Sequence, residues 1–368
     1  MKIYAIIDKN SSVTNGCFHI RLHQPLNELI KRGHQIEYAS LEGDRWDEIK
    51  DADIVIFHRV YTLPYLGLLW RCKAAGIKVV YEIDDDIWNI PESNPAYLSF
   101  EQKWRQTVED TIKEVDLVIV STEALKKIIS RLHDNIVVIP NSIPKEKWQK
   151  RPGGDELTIG WTGGANHMED LLMIADDIKK LQNKYDFKFI MQGFTPRPIE
   201  ADGYEENLKN KIGYTDKNAE KQSNMKLELY KKMLTLKNFY HIPFYPPEMY
   251  PKVLQRADID IGLAPIKGHK FDESKSILKL LEYTACGTTM IASNLLPYKG
   301  IAPYTVDNDN WYDGIEKLIN DKQLREDLLK KQEEICSPYT LDNVGDQWEK
   351  TFKNLLKKYV RRNRNRRY

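Results

Sequence analysis

The sequence predicts an α/β protein with two tandem Rossmann-like domains, a cleft between them and a C-terminal helix. Short apolar segments alternate with helical patterns along the chain, and this alternation restarts after a linker near residue 150. Most of the segments are apolar on both faces, which is typical of parallel strands covered by helices. A chain of 368 residues is also long enough for two cores.

The first domain is predicted to span residues 1–142. Its predicted strands are residues 2–7, 35–39, 53–57, 78–83, 116–120 and 136–139. Its predicted helices are residues 18–32, 63–75, 97–115 and 122–132. Gly33 directly follows the first helix, as a C-terminal glycine in a left-handed conformation commonly does.

The second domain is predicted to span residues 156–337, after a linker rich in proline, glycine and charge. Its predicted strands are residues 157–161, 187–193, 239–243, 258–265 and 288–293. Its predicted helices are residues 167–184, 247–256, 274–286, 310–319 and 322–335. A polar, lysine-rich insertion occupies residues 196–237, and a last helix at 343–360 is expected to pack back on the first domain.

The charge of the chain is unevenly distributed. The formal net charge is +1, yet residues 351–368 contain eight lysines and arginines and no acid, so the preceding part carries −7. The basic tail at 361–368 indicates a polyanionic neighbour, either an anionic membrane surface or a nucleic acid. A disordered tail that only improves solubility is the alternative.

Cysteine usage and hydropathy indicate a cytoplasmic protein, with peripheral membrane contact through the tail as an option. The four cysteines are scattered without C-x-x-C spacing, as expected for reduced thiols and not for a zinc site. No apolar run reaches the roughly 18 residues of a membrane span. The N-terminal segment has too short an apolar part for a signal peptide and is predicted to be a strand.

Two glycines follow the first strand of the second domain, in the segment GWTGGANHMED. Gly163 and Gly164 lie between a strand and a helix, where a backbone can approach an anion and helix N–H groups can bind it. The turn is therefore a candidate phosphate site. It matches neither G-x-G-x-x-G nor a Walker A loop, and a tight structural turn explains it equally well.

The segment FDESKSILKLLEYTACG carries a row of charged residues. On a helix, Lys275, Lys279 and Glu282 fall within an arc of roughly 60°. Cations near a helix N-terminus are unfavourable unless an anion neutralises them. Two lysines followed by a carboxylate would match a diphosphate followed by ribose hydroxyls, whereas a solvated face is the alternative. Ser274 and Ser276 are expected to cap this helix.

Four segments resemble segments of GT-B glycosyltransferases of the family 4 type. They occur along this chain in the same order as in those enzymes, and together they span nearly the whole chain. KSILKLLEYTACGTTMIAS resembles the K-S-x-x-K-x-x-E-Y-x-x-x-G-x-P-V-I-A-S segment of these enzymes, and VVIPNSIP resembles their interdomain IPNGID segment. YPKVLQRADIDIGLAPI resembles the stretch before the donor helix. NGCFHIRLHQPLNELIKRGHQIEYAS resembles their glycine loop and first helix.

The resemblance implies that Glu282 binds the ribose of a nucleotide-sugar donor, a UDP-sugar foremost. Ser274 stands where the family has the first Glu of its E-x7-E motif, which puts a carboxylate contact to the donor sugar in doubt. WTGGANH replaces the Arg/Lys pair of many members, so Lys275 and Lys279 would carry the phosphate charge. The resemblance also implies retention of the anomeric configuration, with no metal and no other cofactor.

The first domain contributes the segment YEIDDDIW, in which Asp84 and Asp86 form a D-x-D sequence. Such a pair binds a divalent cation in GT-A enzymes, and carboxylates suit Mg²⁺ or Mn²⁺. The tandem α/β organisation argues against that class, so these carboxylates are expected to order the acceptor side of the cleft. A loop capped before a helix is the alternative, for Asp85 above all.

Other first-domain candidates follow strands or a glycine loop. His58 ends a strand beside the expected Asp84 loop and would act as a base or acceptor contact, although a structural histidine fits as well. With Asp84 and Asp86 it completes the candidate catalytic set. Arg59, Arg21 and Gly16 are candidates for contacts to the acceptor or to phosphate. A surface salt bridge is the alternative for Arg21.

These observations predict a hexosyltransferase-like enzyme that moves a sugar from a nucleotide-diphosphate sugar to a glycan or lipid-linked glycan. One alternative keeps the fold and the donor but takes modified DNA bases as acceptor. Another is a non-catalytic protein that binds polyanions on the same fold. The intact row of Lys275, Lys279 and Glu282 argues against the second alternative.

Overall fold

The computed structural model describes residues 1–7, 16–40, 45–97, 102–193 and 216–365. Within these residues the chain forms two parallel sheets of six strands each. The first sheet has the order β2-β1-β3-β4-β5-β6, and the second has the order β12-β11-β10-β7-β8-β9. Helices pack on both faces of each sheet, so the predicted α/β class with two Rossmann-like domains is confirmed.

In the first domain the strands are β1 (Lys2–Ile7), β2 (Gln35–Ser40), β3 (Ile54–His58), β4 (Lys78–Ile83), β5 (Leu117–Val120) and β6 (Ile136–Val138). The helices are α1 (Gly16–Phe18), α2 (Gln24–Lys31), α3 (Trp46–Ile49), α4 (Pro64–Ala74), α5 (Gln102–Glu114) and α6 (Glu123–Ile129). A π-helical turn, His19–His23, joins α1 to α2. Gly33 has a φ of 86°, as expected of the glycine that ends α2.

In the second domain the strands are β7 (Thr158–Gly163), β8 (Lys188–Gly193), β9 (Phe239–Pro243), β10 (Ile261–Ala264), β11 (Thr289–Ser293) and β12 (Thr305–Val306). The helices are α7 (Met168–Lys184), α8 (Asp216–Leu234), α9 (Tyr250–Ala257), α10 (Leu278–Cys286), α11 (Trp311–Asn320) and α12 (Lys322–Cys336). Of the predicted insertion at 196–237, residues up to 215 lie outside the described residues.

The inner strands are apolar on both faces because helices cover both faces of each sheet. Along β1, Ile3 and Ala5 belong to one buried cluster, whereas Tyr4 and Ile6 belong to the cluster on the opposite face. This alternation follows from the two-residue period of a strand. It explains why the sequence shows continuous apolar runs there and no alternation of polar with apolar residues.

The final helix, α13 (Leu341–Asn365), returns to the first domain. Val344, Trp348 and Phe352 are buried in the same apolar cluster as residues of β1 and α2. At the edge of this contact the Arg32 Nη1 donates to the Asp346 carboxylate, and the His34 ring is 2.8 Å from the Glu349 carboxylate. The side chains of the basic tail at 361–368 lie outside the described residues.

The expected helix at 274–286 begins later than predicted. A 3₁₀ turn covers Lys270–Ser274, Lys275 is extended, and α10 starts at Leu278. The reason is local: Asp272 Oδ2 accepts hydrogen bonds from the backbone N–H groups of Gly268 and His269 and thereby closes a separate turn.

Candidate functional site

A cleft of about 500 Å³ lies between the domains, where the carboxyl ends of the two sheets face each other. Ligands of doubly wound sheets bind at such strand ends. Residues of the first domain, of the connecting segment and of the second domain all line the cleft. Among them are the candidates Gly16, Arg21, Asp84, Gly163, Gly164, Lys279 and Glu282, together with Asn141, Trp148 and Tyr250.

A lysine–carboxylate pair from α10 forms part of the second-domain wall. The Lys279 Nζ lies 2.7 Å from the Glu282 Oε2, and both contact the Tyr250 hydroxyl, at 3.2 and 3.1 Å. Tyr250 begins α9 and its hydroxyl also lies 3.2 Å from the Thr162 Oγ1. One hydroxyl therefore fixes the position of both charged groups.

The ionisation of this group follows from burial and from the pair itself. Burial by itself would lower the pKa of Lys279, but the Glu282 carboxylate and then Tyr283 together oppose burial, and the net pKa is raised. Burial, and then Glu282, raises the pKa of Tyr250. At neutral pH the cleft therefore presents an ammonium beside a phenol that donates a hydrogen bond and does not ionise.

Lys275 lies apart from this pair. Because it precedes α10, it does not share a helix face with Lys279 and Glu282, contrary to the prediction. Its Nζ lies 3.3 Å from the Asp272 carboxylate and 3.5 Å from the Nε2 of His167. Burial, followed by Lys275, lowers the pKa of His167, so this ring stays neutral and can accept from the ammonium.

Ser274 is buried and does not cap the helix, contrary to the expectation from the sequence. Its hydroxyl donates to the Phe271 carbonyl within the 3₁₀ turn, and its own carbonyl accepts from the Thr122 hydroxyl of the first domain. Ser276 does not cap α10 either, since its Oγ accepts from the Asn141 Nδ2. Both serines serve contacts between the domains.

Close packing at the end of β7 leaves little room for side chains in the glycine turn, Gly163 and Gly164. A Cβ on Gly163 would lie 2.4 Å from the Trp161 ring, and one on the neighbouring Gly193 would lie 1.9 Å from the Gly163 carbonyl oxygen. Gly193 also has a φ of 128°, which side chains rarely adopt. The bare backbone at Gly163 and Gly164 lines the cleft, so a ligand can approach it closely.

On the first-domain wall, Arg21 is buried and held by several partners. Its Nε donates to the Glu82 carboxylate at 2.7 Å, and its Nη1 donates to the Ile139 carbonyl and the Asn141 Oδ1, both at 2.8 Å. The ion pair between Arg21 and Glu82 is therefore buried and is not a surface salt bridge. Its Nη2 has no hydrogen-bond partner among the described residues.

His58 lies behind this arginine and does not line the cleft. Its Nδ1 is 2.6 Å from the second oxygen of Glu82, which pairs with it across β3 and β4. Burial would raise the pKa of Glu82, but Arg21 and then His58 hold it below its usual range. Glu82 is thus a buried anion between a cation and a histidine.

The acidic segment, residues 84–86, differs from the predicted D-x-D arrangement. Asp84 and Asp85 each place one oxygen 3.1 Å from the Arg59 Nη1, and Asp84 lines the cleft. Asp86 instead accepts from the Trp88 N–H and the Asn89 Nδ2, and its side chain is fully buried. The capping carboxylate is therefore Asp86, and Asp85 is the one that accompanies Asp84.

Arg59 takes a backbone conformation that is uncommon for a residue with a side chain. Its φ is 51°, and its N–H donates to the Glu82 carbonyl at 3.1 Å. This conformation turns the guanidinium towards the two aspartates at the end of β4. Such outliers occur often at functional sites.

One group among the described residues has the composition of a metal site. The Cys17 thiol and the carboxylates of Asp84 and Asp85 place ligand atoms within 4.8 Å of one another. Arg59 already pairs with both carboxylates, and burial followed by Asp84 raises the pKa of the Cys17 thiol. A guanidinium held this close to the carboxylates opposes a divalent cation by charge repulsion.

Four residues of this arrangement were not singled out from the sequence. Tyr250 and Asn141 stand inside segments that carried the family resemblance, and Glu82 directly precedes the acidic segment on β4. His167 closes WTGGANH. A polar residue at the end of an apolar strand is the signal that points to Glu82, whereas the other three are recognised only once the two domains are placed together.

No protein-family model matches this chain, and no curated protein matches it. Solved structures do match. Sucrose-phosphate synthase from Thermosynechococcus elongatus superposes with a TM-score of 0.68 at 11% identity, over 96% of this chain and 99% of that one. A trehalose-6-phosphate protein from E. coli, bound with UDP-2-fluoro glucose, has a TM-score of 0.62 at 12% identity over the same shares.

A third similar structure is an alpha-glucosyltransferase in complex with UDP and a 13-mer DNA containing a central A:G mismatch. It has a TM-score of 0.61 at 16% identity, over 96% of this chain and 99% of that one. At such identities the likeness concerns the fold, which is GT-B.

In the described part of the chain, no helix is long and apolar enough to cross a membrane.

Proposed function

We propose that the protein is a glycosyltransferase that moves a hexose from a nucleotide-diphosphate sugar to an acceptor in glycan or lipid-linked glycan assembly. The observation that carries this proposal is the cleft itself. One wall offers Lys279, Glu282 and a bare glycine turn, and the facing wall offers Asp84 and the buried Arg21. Cations and exposed backbone N–H groups bind phosphate, and a carboxylate can accept from ribose hydroxyls, so this combination suits a nucleoside diphosphate.

The donor would lie along the second-domain wall. Lys279 and the amides at Gly163 and Gly164 would stabilise the negative charge that develops on the leaving diphosphate, which is the main electrostatic task of such a reaction. Glu282 would accept hydrogen bonds from ribose hydroxyls. Lys275, held by Asp272 and His167, adds positive charge close by. A UDP-sugar is the first donor to test, and the resemblance to family 4 supports a retaining reaction.

The acceptor would meet the first-domain wall. Asp84 is the candidate catalytic residue that lines the cleft, and Arg59 fixes its carboxylate. Asp86 and His58 are buried behind the wall, so they would act on the site only through the turn after β4 and through Glu82. We therefore assign the acceptor contact to Asp84.

A thermal-shift screen with UDP, GDP, ADP, CDP and their sugars tests the donor assignment. One nucleoside diphosphate should raise the unfolding temperature, because a ligand that binds only the folded state stabilises it. Its sugar conjugate should then be hydrolysed slowly in the absence of acceptor. Stabilisation without hydrolysis would favour the non-catalytic alternative, and no stabilisation by any of them would overturn the proposal.

DNA is the second acceptor candidate, since an alpha-glucosyltransferase solved with DNA covers nearly the same length of chain. The basic C-terminal segment would supply phosphate contacts. If DNA is the acceptor, its affinity should fall steeply as salt rises. Affinity for duplex DNA that does not depend on salt would exclude this candidate.

A further inference from the structure

Helix α10, which carries the proposed donor contacts Lys279 and Glu282, begins without a side-chain cap. Its N-cap residue, Ile277, has no side chain that can accept from the first-turn N–H groups, and no side-chain cap is formed. Helix ends leave four such groups without an intrahelical partner. Because Lys279 lies in this first turn, its position depends on whatever else fixes the preceding backbone.

Contacts from the first domain fix that backbone. The Thr122 hydroxyl donates to the Ser274 carbonyl at 2.8 Å, and the Asn141 Nδ2 donates to the Ser276 Oγ at 2.7 Å. Phe271, in the 3₁₀ turn before Ser274, is buried within an apolar cluster of the first domain. The segment that leads into α10 is therefore anchored in the opposite domain.

Asn141 also has a second partner that sets the orientation of its amide. The Arg21 Nη1 donates to the Asn141 Oδ1 at 2.8 Å. An arginine has donors only, so the amide oxygen must face it and the amide nitrogen must face Ser276. The Arg21 Nε in turn donates to the Glu82 carboxylate, which holds the arginine in place. A chain of three hydrogen bonds thus runs from the core of the first domain to the start of α10.

We infer that Asn141 is a positioning residue that couples the buried Arg21–Glu82 pair to the donor helix, so that the first domain sets the place of Lys279. This inference rests on the proposed function, since Lys279 matters here as a donor contact. It goes beyond that function because it assigns part of the donor affinity to the hydrogen bond between Asn141 and Ser276, and Ser276 is not among the residues that line the cleft. The consequence is that the two domains must be docked before the donor site is complete.

A matched pair of substitutions at Ser276 isolates this contact. Ser276→Thr keeps the hydroxyl, whereas Ser276→Val has nearly the same shape as threonine and lacks it. With UDP as the probe, the valine variant should bind about fivefold more weakly than the threonine variant, the loss expected for one hydrogen bond between neutral groups. Ser130→Ala, which removes an exposed hydroxyl of the first domain, should leave UDP binding unchanged.

A double-mutant cycle tests whether Asn141 is the partner. Asn141→Leu should weaken UDP binding at least as much as Ser276→Val, and the double variant should be no weaker than Asn141→Leu alone. Additive losses, or equal affinities of the valine and threonine variants, would overturn the inference.

Hydrogen exchange of the ligand-free protein separates this inference from the donor assignment. In Ser276→Val the amides of the first turn of α10 should exchange faster than in Ser276→Thr, whether or not UDP binds. Equal exchange in the two variants would contradict the positioning role. Absence of binding of UDP, GDP, ADP and CDP to the wild type, together with the expected exchange difference, would instead reject only the proposed function.

Discussion

At the scale of single residues, Arg59 determines what the acidic segment can do. Its Nη1 lies 3.1 Å from one oxygen of Asp84 and 3.1 Å from one oxygen of Asp85. Burial alone would lower the pKa of Arg59, but Asp84 above all raises it, so the guanidinium stays charged. The carboxylates that a metal ion would need are therefore already paired with a fixed cation.

We accordingly expect turnover to survive EDTA. A divalent cation would have to displace Arg59 and meet its positive charge at close range. The measurement is the rate of donor consumption before and after dialysis against the chelator, and the two rates should agree within about twofold, well under the tenfold that 1.4 kcal/mol represents. Complete loss of activity that Mn²⁺ restores would show that Asp84 and Asp85 hold a metal. An Arg59→Gln variant indicates whether the guanidinium is what excludes it.

At the scale of elements, the ends of β7 and β8 form the floor of the donor site. The two strands pair in register up to Gly163 and Gly193, where the backbones approach too closely for a side chain. A Cβ on Gly193 would push the strands apart, and a Cβ on Gly163 would displace the Trp161 ring.

Gly193→Ala should therefore destabilise the fold strongly. The substitution combines strain at a φ of 128° with a Cβ placed 1.9 Å from the Gly163 carbonyl oxygen. Gly153→Ala is the control, because it also places a side chain at a positive φ, of 78°, but its Cβ would meet no atom within 4 Å. Strain alone costs on the order of 1–3 kcal/mol. Urea unfolding should show a clearly larger loss for Gly193→Ala, and equal losses would contradict the close approach.

Sequence patterns predict elements well where the chain is apolar and poorly where contacts are distant. Eleven of the twelve described strands agree with prediction within a few residues, since burial leaves a clear apolar run, whereas the two-residue strand β12 was not predicted. The start of α10 was placed at Ser274 because serine commonly caps helices. In the folded chain Thr122 and Asn141 of the other domain engage this region, and no local pattern reveals partners so far away.

At the scale of the whole molecule, the chain crosses between the domains twice. It passes through the segment after β6, and it returns as α13, whose Trp348 and Phe352 are buried against the first domain. The sequence predicts the two Rossmann-like units and the cleft because the pattern repeats. It does not predict which candidate side chains face that cleft. For this reason the prediction that Asp86 acts beside Asp84 in the cleft is wrong: Asp86 caps its own turn.

The basic tail gives a prediction at this scale. A chain that ends after Val360 loses Arg361, Arg362, Arg364, Arg366 and Arg367. If the tail contacts a polyanion, the cut should weaken binding to DNA or to anionic vesicles and flatten its salt dependence, while UDP binding stays unchanged. Each arginine near an anionic membrane contributes about 1 kcal/mol, and each neutralised DNA phosphate adds nearly one unit to the salt slope.

A full-length variant with the same five arginines changed to glutamine is the matched control, because it removes the charge and keeps the length. It should behave like the truncated chain. Loss on DNA alone favours the DNA acceptor, and loss on vesicles alone favours glycan assembly at a membrane. No loss on either would show that the tail has no polyanionic partner.

The central claim is that α10 binds a nucleotide-sugar donor, and the most direct test is donor turnover in variants of that helix. Lys279→Ala and Glu282→Gln should each lower kcat/KM at least tenfold for the sugar nucleotide that stabilises the wild type. A charge-assisted hydrogen bond contributes about 1.5–3 kcal/mol. Lys252→Ala, which removes an exposed lysine from the neighbouring α9, should retain wild-type kinetics, and all three variants should remain folded. Wild-type kinetics in both α10 variants would contradict the assignment of the donor site.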